Sequence, residues 1–523
     1  ASRAAAWEAQ VSVGEVFARS AGQSWRGALA ARIADWLNDR GHDSQAQRTA
    51  GGAFLIRMAG AAFAYLLQVA LARWMGTSEF GVYVYVWTWA LLIGGIADAG
   101  LAIAAQRFVP EYAERALPAL LRGFLVGSRA IAFALAFALA LIGALAVRLA
   151  EPWLDQATII PLYLACLCLP AYALAAVQDG VARCFNWIYL GLAPAYIIRP
   201  LLLIALMLAA YRLGFASDAA TAIGAAVLSF WLVAAVQAVL LSRRLDGTVA
   251  PGARAYDARL WLTAAVPVVA VSGFYMLLSY VDILVLQHLR SSQEVALYHA
   301  AAKTLTLVTF VYFAVAAATA HRFSAYHAAG ERARLEEFIA RAVRWTFWPS
   351  LGISAVVLAL GKPFLWLFGP DFVAAYPLMF VLAAGLLARA ALGPAERLLT
   401  MLNEQRACAL VYASAFAFNL VACVALVPRY GGMGAAIATS LALMLESVLL
   451  FQVAKRRLGL NVFVFSRSDL AGQPMRALRQ IALAFGGRAT PSPALAPQTA
   501  DHLAGGGHRQ PGTTYRSRPP IAG

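Results

Sequence analysis

The sequence predicts an all-α integral membrane protein with about twelve transmembrane helices in two six-helix bundles, related by a pseudo-two-fold axis along the membrane normal. Three observations lead to this prediction: an apolar composition, a series of long apolar runs and an internal repeat. Of the 523 residues, 62% are hydrophobic and 13% are charged, whereas soluble proteins average roughly 45–50% and 25%. A soluble fold could not hide so much apolar chain from water. The composition therefore excludes a soluble enzyme, a disulfide-stapled secreted domain and a disordered scaffold.

Twelve runs are long and apolar enough to cross a bilayer, which requires about 20 residues per helix. Short loops join these runs, so successive helices are expected to be antiparallel. The runs lie at 53–75, 80–105, 120–147, 158–178, 190–211, 220–241, 260–287, 296–319, 342–360, 374–393, 407–427 and 433–454.

Positive charge is distributed unevenly between the loops. If the N-terminus lies in the cytoplasm, the inner loops carry fourteen Arg residues, and the outer loops carry five Arg residues and one Lys residue. Cytoplasmic loops of membrane proteins collect Lys and Arg, so both termini are expected in the cytoplasm. The same rule accounts for the net charge of +16, which therefore gives no reason to expect a nucleic-acid partner.

Two short segments recur in the two parts of the chain. Residues 78–83 align with 293–298 at a shift of 215, which pairs Glu79 with Glu294 and Tyr83 with Tyr298. Residues 223–227 align with 433–437 at a shift of 210. Each half contains an even number of helices, so both halves start on the same side of the membrane. Two parallel halves of this kind can rock about a central cavity.

The repeat and the composition divide the chain into five segments. A cytoplasmic N-terminal segment at 1–50 has a loose amphipathic pattern and is expected to be either an interfacial helix or a poorly ordered tail. The N-terminal bundle at 51–242 is joined by a cytoplasmic linker at 243–258 to the C-terminal bundle at 259–457. A tail at 458–523, rich in Pro, Gly, Arg and Thr, is predicted to be disordered.

The motifs of common enzyme classes are missing from the sequence. There is no GxxxxGK[ST] and no HExxH, and the seven histidines do not cluster at metal-ligand spacing. The five cysteines lie in or beside apolar runs and are expected to be buried thiols. Glu151 and Asp155 form the one acidic pair beside the membrane, and a solvated loop explains them. We therefore expect no catalytic residues, no metal and no cofactor.

Cationic residues inside the runs are the candidate binding residues, because ionisable groups within a membrane are costly and often functional. Arg199 lies about nine residues into the fifth run, near the membrane midplane, and Pro200 follows it. At that depth the side chain is expected to face a cavity or to pair with a carboxylate. Arg129 and Lys303 lie about two turns inside their runs, and either face a cavity or reach the headgroups.

Four arginines near the cytoplasmic ends of their runs are expected to reach the headgroups. They are Arg57, Arg122, Arg344 and Arg389, and Arg57 is also a candidate for the cavity. Asp282 and Glu446 are the candidate buried carboxylates, either pairing with a cavity cation or binding a coupling proton or sodium ion. Asp98 is expected to be a helix-end or turn residue.

The inventory of deep charges is mainly cationic. Such a cavity suits an anionic substrate, especially a phosphate or pyrophosphate, which Arg binds with its planar fork.

Several stretches resemble bacterial oligosaccharide flippases of the Wzx type. Together they cover about residues 51–457, in the family's order and spacing. They are Leu71–Gly76 with Glu79–Tyr83 at the first helix junction, Asp98–Leu101, Val281–Leu284 with Tyr298–Lys303, Leu367–Phe372 and Val427–Thr439. The last of these is the strongest match. The family's binding residues vary with the sugar, so the resemblance assigns none here.

The resemblance implies a member of the multidrug/oligosaccharidyl-lipid/polysaccharide exporter superfamily in the bacterial inner membrane. It implies a V-shaped twelve-helix transporter whose cargo is an undecaprenyl-diphosphate-linked oligosaccharide, used for exopolysaccharide, O-antigen or capsule. We expect Arg199, with Arg57, Arg129 or Lys303, to compensate the diphosphate, and Asp282 or Glu446 to bind a coupling ion. Expected partners are the substrate, membrane lipids, a polysaccharide polymerase and other biosynthesis proteins.

The sequence leaves three alternative functions open. A cation-coupled multidrug exporter of the same fold predicts acidic cavity residues. The flippase for the cell-wall precursor usually has more helices and an Arg-Asp pair in its first helix, whereas here Met58 follows Arg57. A membrane-embedded sugar polymerase or ligase would need a large outer loop, which the sequence lacks.

Overall fold

The structure is a computed structural model that describes residues 42–402 and 404–464. The described residues form helices joined by short connections and contain no β-strand. Residues 1–41 of the predicted N-terminal segment, and residues 465–523 of the predicted tail, lie outside the described residues.

Ten helices among the described residues are long and apolar enough to cross a membrane. Two of them are each broken by a glycine, so the chain supplies twelve membrane-spanning helices, which confirms the predicted fold class. In chain order they are α1 (42–75), α2 (77–97, continued by Leu101–Glu114), α3 (Pro118–Ala150), α4 (Gln156–Cys184), α5 (Ile188–Arg212), α6 (Ala219–Asp246), α7 (Ala258–Leu289), α8 (Ser292–Ala328), α9 (Arg332–Ala359), α10 (Tyr376–Ala390), α11 (405–430) and α12 (432–458).

Glycines make the two sharpest helix junctions. Gly76, between α1 and α2, has φ 73° and ψ −178°, and Gly431, between α11 and α12, has φ 55° and ψ −135°. Side chains make such backbone conformations costly, whereas glycine adopts them readily. Each glycine therefore reverses the chain with almost no loop.

The glutamates of the sequence repeat have the same structural role in both bundles. The Glu79 carboxylate accepts a hydrogen bond from the backbone N–H of Ala219, at the start of α6 (2.9 Å). The Glu294 carboxylate accepts one from Gly432, at the start of α12 (2.8 Å). The first N–H groups of a helix lack intrahelical partners and carry partial positive charge. Each glutamate therefore holds the last helix of its own bundle.

The helix connections lie on two faces. The linker face carries the connections at 115–117, 185–187, 247–257, 329–331 and 391–404. The far face carries Gly76, Gly431 and the connections at 151–155, 213–218, 290–291 and 360–375.

The two bundles pack tightly together at the far face. The Phe80 ring of α2 packs against Phe368 and Phe372, with ring centroids 6.4 and 6.0 Å apart. Arg73 donates hydrogen bonds to the carbonyl oxygens of Leu367 (2.7 Å) and Trp366 (2.9 Å). These contacts close the far face between the bundles.

The linker is attached to the N-terminal bundle. The Arg122 guanidinium donates to the carbonyl oxygens of Ala250 (2.7 Å) and Ala253 (2.9 Å). At the start of α7, the fully buried Trp261 donates its indole N–H to the Tyr112 hydroxyl (3.0 Å). Arg122 thus binds linker carbonyls, in place of the expected headgroup contact.

Two segment ends differ in detail from the sequence prediction. The run predicted at 80–105 is interrupted at 98–100, where the Asp98 carboxylate accepts hydrogen bonds from the N–H groups of Gly100 and Ala102 (both 3.1 Å). Asp98 is therefore a turn residue. After α12 the chain stays packed against the bundle, because Val464 is buried and donates its N–H to the Ala391 carbonyl (3.1 Å).

Candidate functional site

A cavity of about 400 Å³ opens within the N-terminal bundle, and we call it the N-half cavity. Helices α1, α2, α4, α5 and α6 line it, and α8 of the other bundle contributes one residue. Its polar and aromatic lining includes Gln68, Trp87, Tyr172, Asp179, Tyr196, Arg199, Phe230 and Lys303. The cavity thus combines groups from both bundles.

Arg199 lines the N-half cavity, and the local helix geometry explains its position. Helix α5 contains a π-helical turn at Pro194–Ile198, immediately before Arg199. Such turns insert one extra residue into a helix and are frequent at functional sites. The guanidinium stacks over the Phe230 ring, 4.2 Å from its centroid. No carboxylate of the described residues forms an ion pair with it, although Asp179 lines the same cavity.

Lys303 brings a second cation to the N-half cavity from α8. Its ammonium forms no hydrogen bond or ion pair with the residues that the structure describes. Gln68 Oε1, in the lining of the same cavity, is buried with no hydrogen-bond partner in the described part of the chain. Buried polar groups normally have partners. The unfilled hydrogen-bonding capacity therefore fits a polar ligand.

Asp179 is a charged residue of the cavity that the sequence analysis did not identify as a candidate. Its carboxylate accepts a hydrogen bond from Gln237 Nε2 of α6 (2.6 Å), and the same amide nitrogen donates to the Leu190 carbonyl (2.9 Å). The predicted span ended at residue 178, which placed Asp179 in a loop, whereas α4 continues to Cys184. Two cations and one carboxylate give the cavity a net charge of +1 when all three are ionised.

The other two predicted cations lie elsewhere. Arg57 is exposed and does not line the N-half cavity. Arg129 lies between α3 and α6, where its guanidinium donates to the Leu125 carbonyl (2.7 Å) and the Ser242 hydroxyl (3.3 Å). The structure thus brings together Arg199 and Lys303 of the four, and separates Arg57 and Arg129 from them.

Asp282 is buried in the C-terminal bundle, and its carboxylate accepts three hydrogen bonds. The carboxylate accepts hydrogen bonds from the Tyr298 hydroxyl, the Thr439 hydroxyl (3.1 Å) and the N–H of Ile283 (2.8 Å). Tyr298 is the tyrosine of the sequence repeat, which connects α8 to α7. The described contacts give Asp282 a structural role between α7, α8 and α12.

Glu446 belongs to a buried cluster with Arg389 and Glu396. The Arg389 guanidinium lies 3.6 Å from Glu446 and 3.7 Å from Glu396, and stacks over the rings of Tyr312 and Tyr275 (5.0 and 5.7 Å). The Glu446 side chain has 0% exposure, and neither of its oxygens has a hydrogen-bond partner among the described residues.

The expectation that Arg389 reaches the headgroups is therefore wrong. Arg389 is held inside the C-terminal bundle because two carboxylates and two aromatic rings offer it a better environment than the membrane surface. The expectation was based on the distance of Arg389 from the end of its helix, and this distance does not determine the direction of the side chain. The cluster has a net charge of −1 when all three groups are ionised.

No group of three or more His, Cys, Asp or Glu residues that could hold a metal ion occurs in the described ranges. The five cysteines are free thiols, of which Cys168, Cys408 and Cys423 are buried. The described residues thus offer no metal centre beside the two charged clusters.

Comparison of the sequence with known families gives two matches. The family model described as polysaccharide biosynthesis protein matches residues 49–327. The model described as MatE matches residues 267–425. No curated protein gives a significant match.

Comparison with solved structures gives the fold. A multidrug resistance MATE family transporter of the MOP superfamily, in an inward-facing conformation, has a TM-score of 0.64 at 14% identity, over 78% of this chain and 98% of that chain. The lipid II flippase MurJ, in an inward closed conformation, has a TM-score of 0.62 at 15% identity, over 78% and 87%. A MATE in the bent conformation has a TM-score of 0.58 at 14% identity, over 79% and 95%.

The membrane-spanning helices and these structural matches define the class of protein as a multi-pass membrane protein with the fold of the MATE and MurJ structures. The polysaccharide biosynthesis model spans more than half of the sequence. The chain therefore belongs to the polysaccharide biosynthesis protein family.

Proposed function

We propose that this protein is a flippase for an undecaprenyl-diphosphate-linked oligosaccharide in the bacterial inner membrane. It would serve the synthesis of a surface polysaccharide such as exopolysaccharide, O-antigen or capsule. The linker face and both termini lie in the cytoplasm in this proposal, as the loop charges predict. The protein acts without cofactor or catalysis, and its partners are the lipid-linked saccharide, membrane lipids, a polysaccharide polymerase and other biosynthesis proteins.

The single observation that supports this proposal is the excess of positive charge in the N-half cavity, where Arg199 and Lys303 are accompanied by one carboxylate, Asp179. A diphosphate taken from water into a low-dielectric cavity needs compensating charge, because an unpaired buried charge is very costly. Arg199 offers a planar fork for phosphate oxygens, and Lys303 adds a point charge from the other bundle. The prenyl tail stays in the bilayer while the headgroup occupies the cavity.

Alternating access follows from the position of the two cations. Arg199 belongs to the N-terminal bundle and Lys303 to the C-terminal one, so a diphosphate held by both draws the bundles together. The far face is closed in this structure by Phe80, Phe368 and Phe372, and the headgroup enters from the linker face. Rocking of the bundles then opens the far face and releases the saccharide outside.

A coupling ion would bind in the C-terminal bundle. Asp282 and Glu446 are the candidates, and the contacts favour Glu446 because its oxygens have no hydrogen-bond partner among the described residues. A proton or a sodium ion there would balance the negative charge of the cluster with Arg389 and Glu396. This part of the proposal concerns the energy source and is independent of the diphosphate site.

A deletion strain tests the proposed substrate. We expect complete lipid-linked repeat units to accumulate on the cytoplasmic face of the inner membrane, with loss of the surface polymer. The parent chain should restore export, whereas Arg199→Gln and Lys303→Gln should not. Arg212→Gln, an exposed arginine at the far end of the same helix α5, is the matched control and should restore it. Normal export by Arg199→Gln at a normal protein level would remove Arg199 from the mechanism.

A cation-coupled drug exporter is the second candidate, favoured by the MatE match at 267–425. In that case the deletion strain would show unchanged saccharides and altered drug tolerance. A third outcome, repeat units delivered outside but never polymerised or ligated, would indicate a polymerase or ligase. Each outcome therefore identifies one of the candidate functions.

A further inference from the structure

The C-terminal bundle contains a second cavity, of about 380 Å³, which the proposed diphosphate site does not use. We call it the C-half cavity. Its volume falls within the roughly 300–1,000 Å³ typical of small-molecule sites. Helices α7, α8, α9 and α10 line it, and its lining differs in chemistry from that of the N-half cavity.

Aromatic rings form much of the C-half cavity wall. Tyr275 and Tyr280 come from α7, and Tyr312 and the exposed Phe313 come from α8. A sugar ring carries C–H groups on its faces and hydroxyls around its edge, and aromatic faces with partial negative charge pack against such C–H groups. The wall thus has the surface that a saccharide needs for stacking.

Hydroxyl groups occupy the positions between these rings. Ser279 donates to the Tyr275 carbonyl (2.8 Å), and Thr309 donates to the Thr306 carbonyl (2.7 Å). A hydroxyl whose proton is engaged still has lone pairs to accept a hydrogen bond from a ligand. Ser350, which is fully buried, lines the same cavity, and its hydroxyl has no partner in the described part of the chain. The cavity is therefore rich in acceptors for sugar hydroxyls.

The two cavities differ in their charge. The single cation of the C-half cavity, Arg389, is flanked by Glu446 and Glu396, so the field there disfavours a diphosphate. The N-half cavity contains two cations, Arg199 and Lys303, and one carboxylate. Its net positive charge therefore favours a diphosphate. An uncharged or amino-bearing saccharide, by contrast, is compatible with the negative cluster behind the C-half wall.

The linings of the two cavities lie within one turn of each other along α8. Lys303 lines the N-half cavity and Thr306 lines the C-half cavity, and three residues of an α-helix rise about 4.5 Å. In a lipid-linked saccharide the first sugar is bonded directly to the diphosphate. A diphosphate at Lys303 therefore places the first sugar within reach of the C-half cavity.

We propose that the C-half cavity is the saccharide subsite, where Tyr280, Ser279 and Thr309 contact the sugar nearest the diphosphate and discriminate between saccharides. This proposal rests on the proposed flippase function. It assigns the two ends of the headgroup to different bundles: the diphosphate to Arg199 and Lys303, and the sugar to hydroxyls and rings of α7 and α8.

The test compares two probes on the purified full chain in detergent by microscale thermophoresis. One probe is the lipid-linked saccharide extracted from the deletion strain, and the other is undecaprenyl diphosphate, which carries no sugar. The test variant combines Ser279→Ala, Tyr280→Phe and Thr309→Val, which removes three hydroxyls and changes volume little. The matched control combines the same three kinds of change at Ser414, Tyr211 and Thr263, which are exposed and outside both cavities.

We expect the test variant to bind the glycosylated probe about tenfold more weakly, since the hydroxyls that hydrogen-bond the sugar are removed. It should bind undecaprenyl diphosphate within about twofold of the parent, and the control should bind both probes as the parent does. Arg199→Gln should weaken the binding of both probes by the same factor. An equal loss for both probes in the test variant, or no loss for either, would overturn the saccharide subsite. Failure of the parent chain to bind either probe would instead overturn the proposed function.

Discussion

At the residue scale, the environment of a buried charge decides what it can bind. Arg199 and Arg389 both stack on aromatic rings within the membrane-spanning region, but Arg389 is flanked by two carboxylates and Arg199 by none within ion-pair distance among the described residues. Arg389 is therefore part of an ion-paired cluster with a net negative charge, and Arg199 remains available to an anion. The two bundles thus differ in charge although they share a fold.

The buried cluster of Arg389, Glu396 and Glu446 leads to a prediction about coupling. Glu446→Gln removes the excess negative charge, so the cluster no longer requires a further cation. We expect flipping in proteoliposomes to lose its dependence on an imposed proton or sodium gradient. The measurement is the initial flipping rate with and without each gradient.

Glu404→Gln is the control for this experiment, because Glu404 forms a partly exposed ion pair with Arg457. Exposed pairs of this kind contribute little. A gradient dependence that persists unchanged in Glu446→Gln would rule out Glu446 as the coupling site and leave Asp282 as the candidate.

At the element scale, helix ends rather than helix interiors set the arrangement of each bundle. Glu79 holds the start of α6 and Glu294 holds the start of α12 through one backbone hydrogen bond each. This explains why the two glutamates recur at the same place in the sequence repeat. Gly76 makes the tight junction between α1 and α2, and Gly431 makes the one that leads into α12.

Removing a helix-end carboxylate should lower stability. Hydrogen bonds to charged groups contribute about 1.5–3 kcal/mol, so Glu79→Gln and Glu294→Gln, which keep the shape but lose the charge, should each cost about 1 kcal/mol. Thermal unfolding of the purified chain in detergent measures this as a lower midpoint. Glu114→Gln, an exposed position, is the control, and an equal shift in all three variants would contradict the role of the two caps.

Gly431→Ala should be more damaging than an ordinary glycine substitution. The backbone at Gly431 has φ 55° and ψ −135°, and a Cβ there would clash with a carboxylate oxygen of Glu294. Conformations of this kind cost roughly 1–3 kcal/mol for other residues. We expect a clear loss of thermal stability and of correctly inserted protein.

Gly352→Ala provides the comparison, because Gly352 is helical and a Cβ there would meet no atom within 4 Å. Alanine is the better helix former, so this variant should be as stable as the parent or more so. If the two alanine variants had the same stability, the α11–α12 junction would not require glycine.

The helices were predictable from the sequence, but the directions of their charged side chains were not. Apolar runs gave twelve helices because the bilayer demands about 20 apolar residues per span. The depth of Arg199 placed it in the cavity correctly. Arg389 and Arg57 both lie near helix ends. Arg389 pairs with two carboxylates, whereas Arg57 is exposed. This difference depends on neighbours from distant parts of the chain. Asp179 was missed because a helix that continues past the apolar run leaves no apolar signal.

At the scale of the whole molecule, the contacts at the far face hold the two bundles closed. Arg73 binds the carbonyl oxygens of Trp366 and Leu367 across the interface, and its guanidinium stacks on the Trp366 ring, 4.9 Å from the centroid. The linker and the start of α7 are attached to the N-terminal bundle. Opening the far face therefore requires the contacts around Arg73 to separate.

A cross-link at this interface should stop transport. We expect Arg73→Cys with Trp366→Cys, joined by a short bis-maleimide in a chain with the native cysteines replaced by serine, to bind substrate but not to flip it. Each single cysteine variant, treated in the same way, is the control. Continued flipping by the fully cross-linked chain would show that the far face need not open there.

Flipping by the purified chain in liposomes tests the central claim most directly. The lipid-linked saccharide from the deletion strain is incorporated with the protein, and the fraction of saccharide that an added glycosidase can reach is followed over time. The account predicts that the parent chain and Arg212→Gln move the saccharide across the bilayer, and that Arg199→Gln and Lys303→Gln do not. Equal movement with all four chains, or none with the parent, would contradict it.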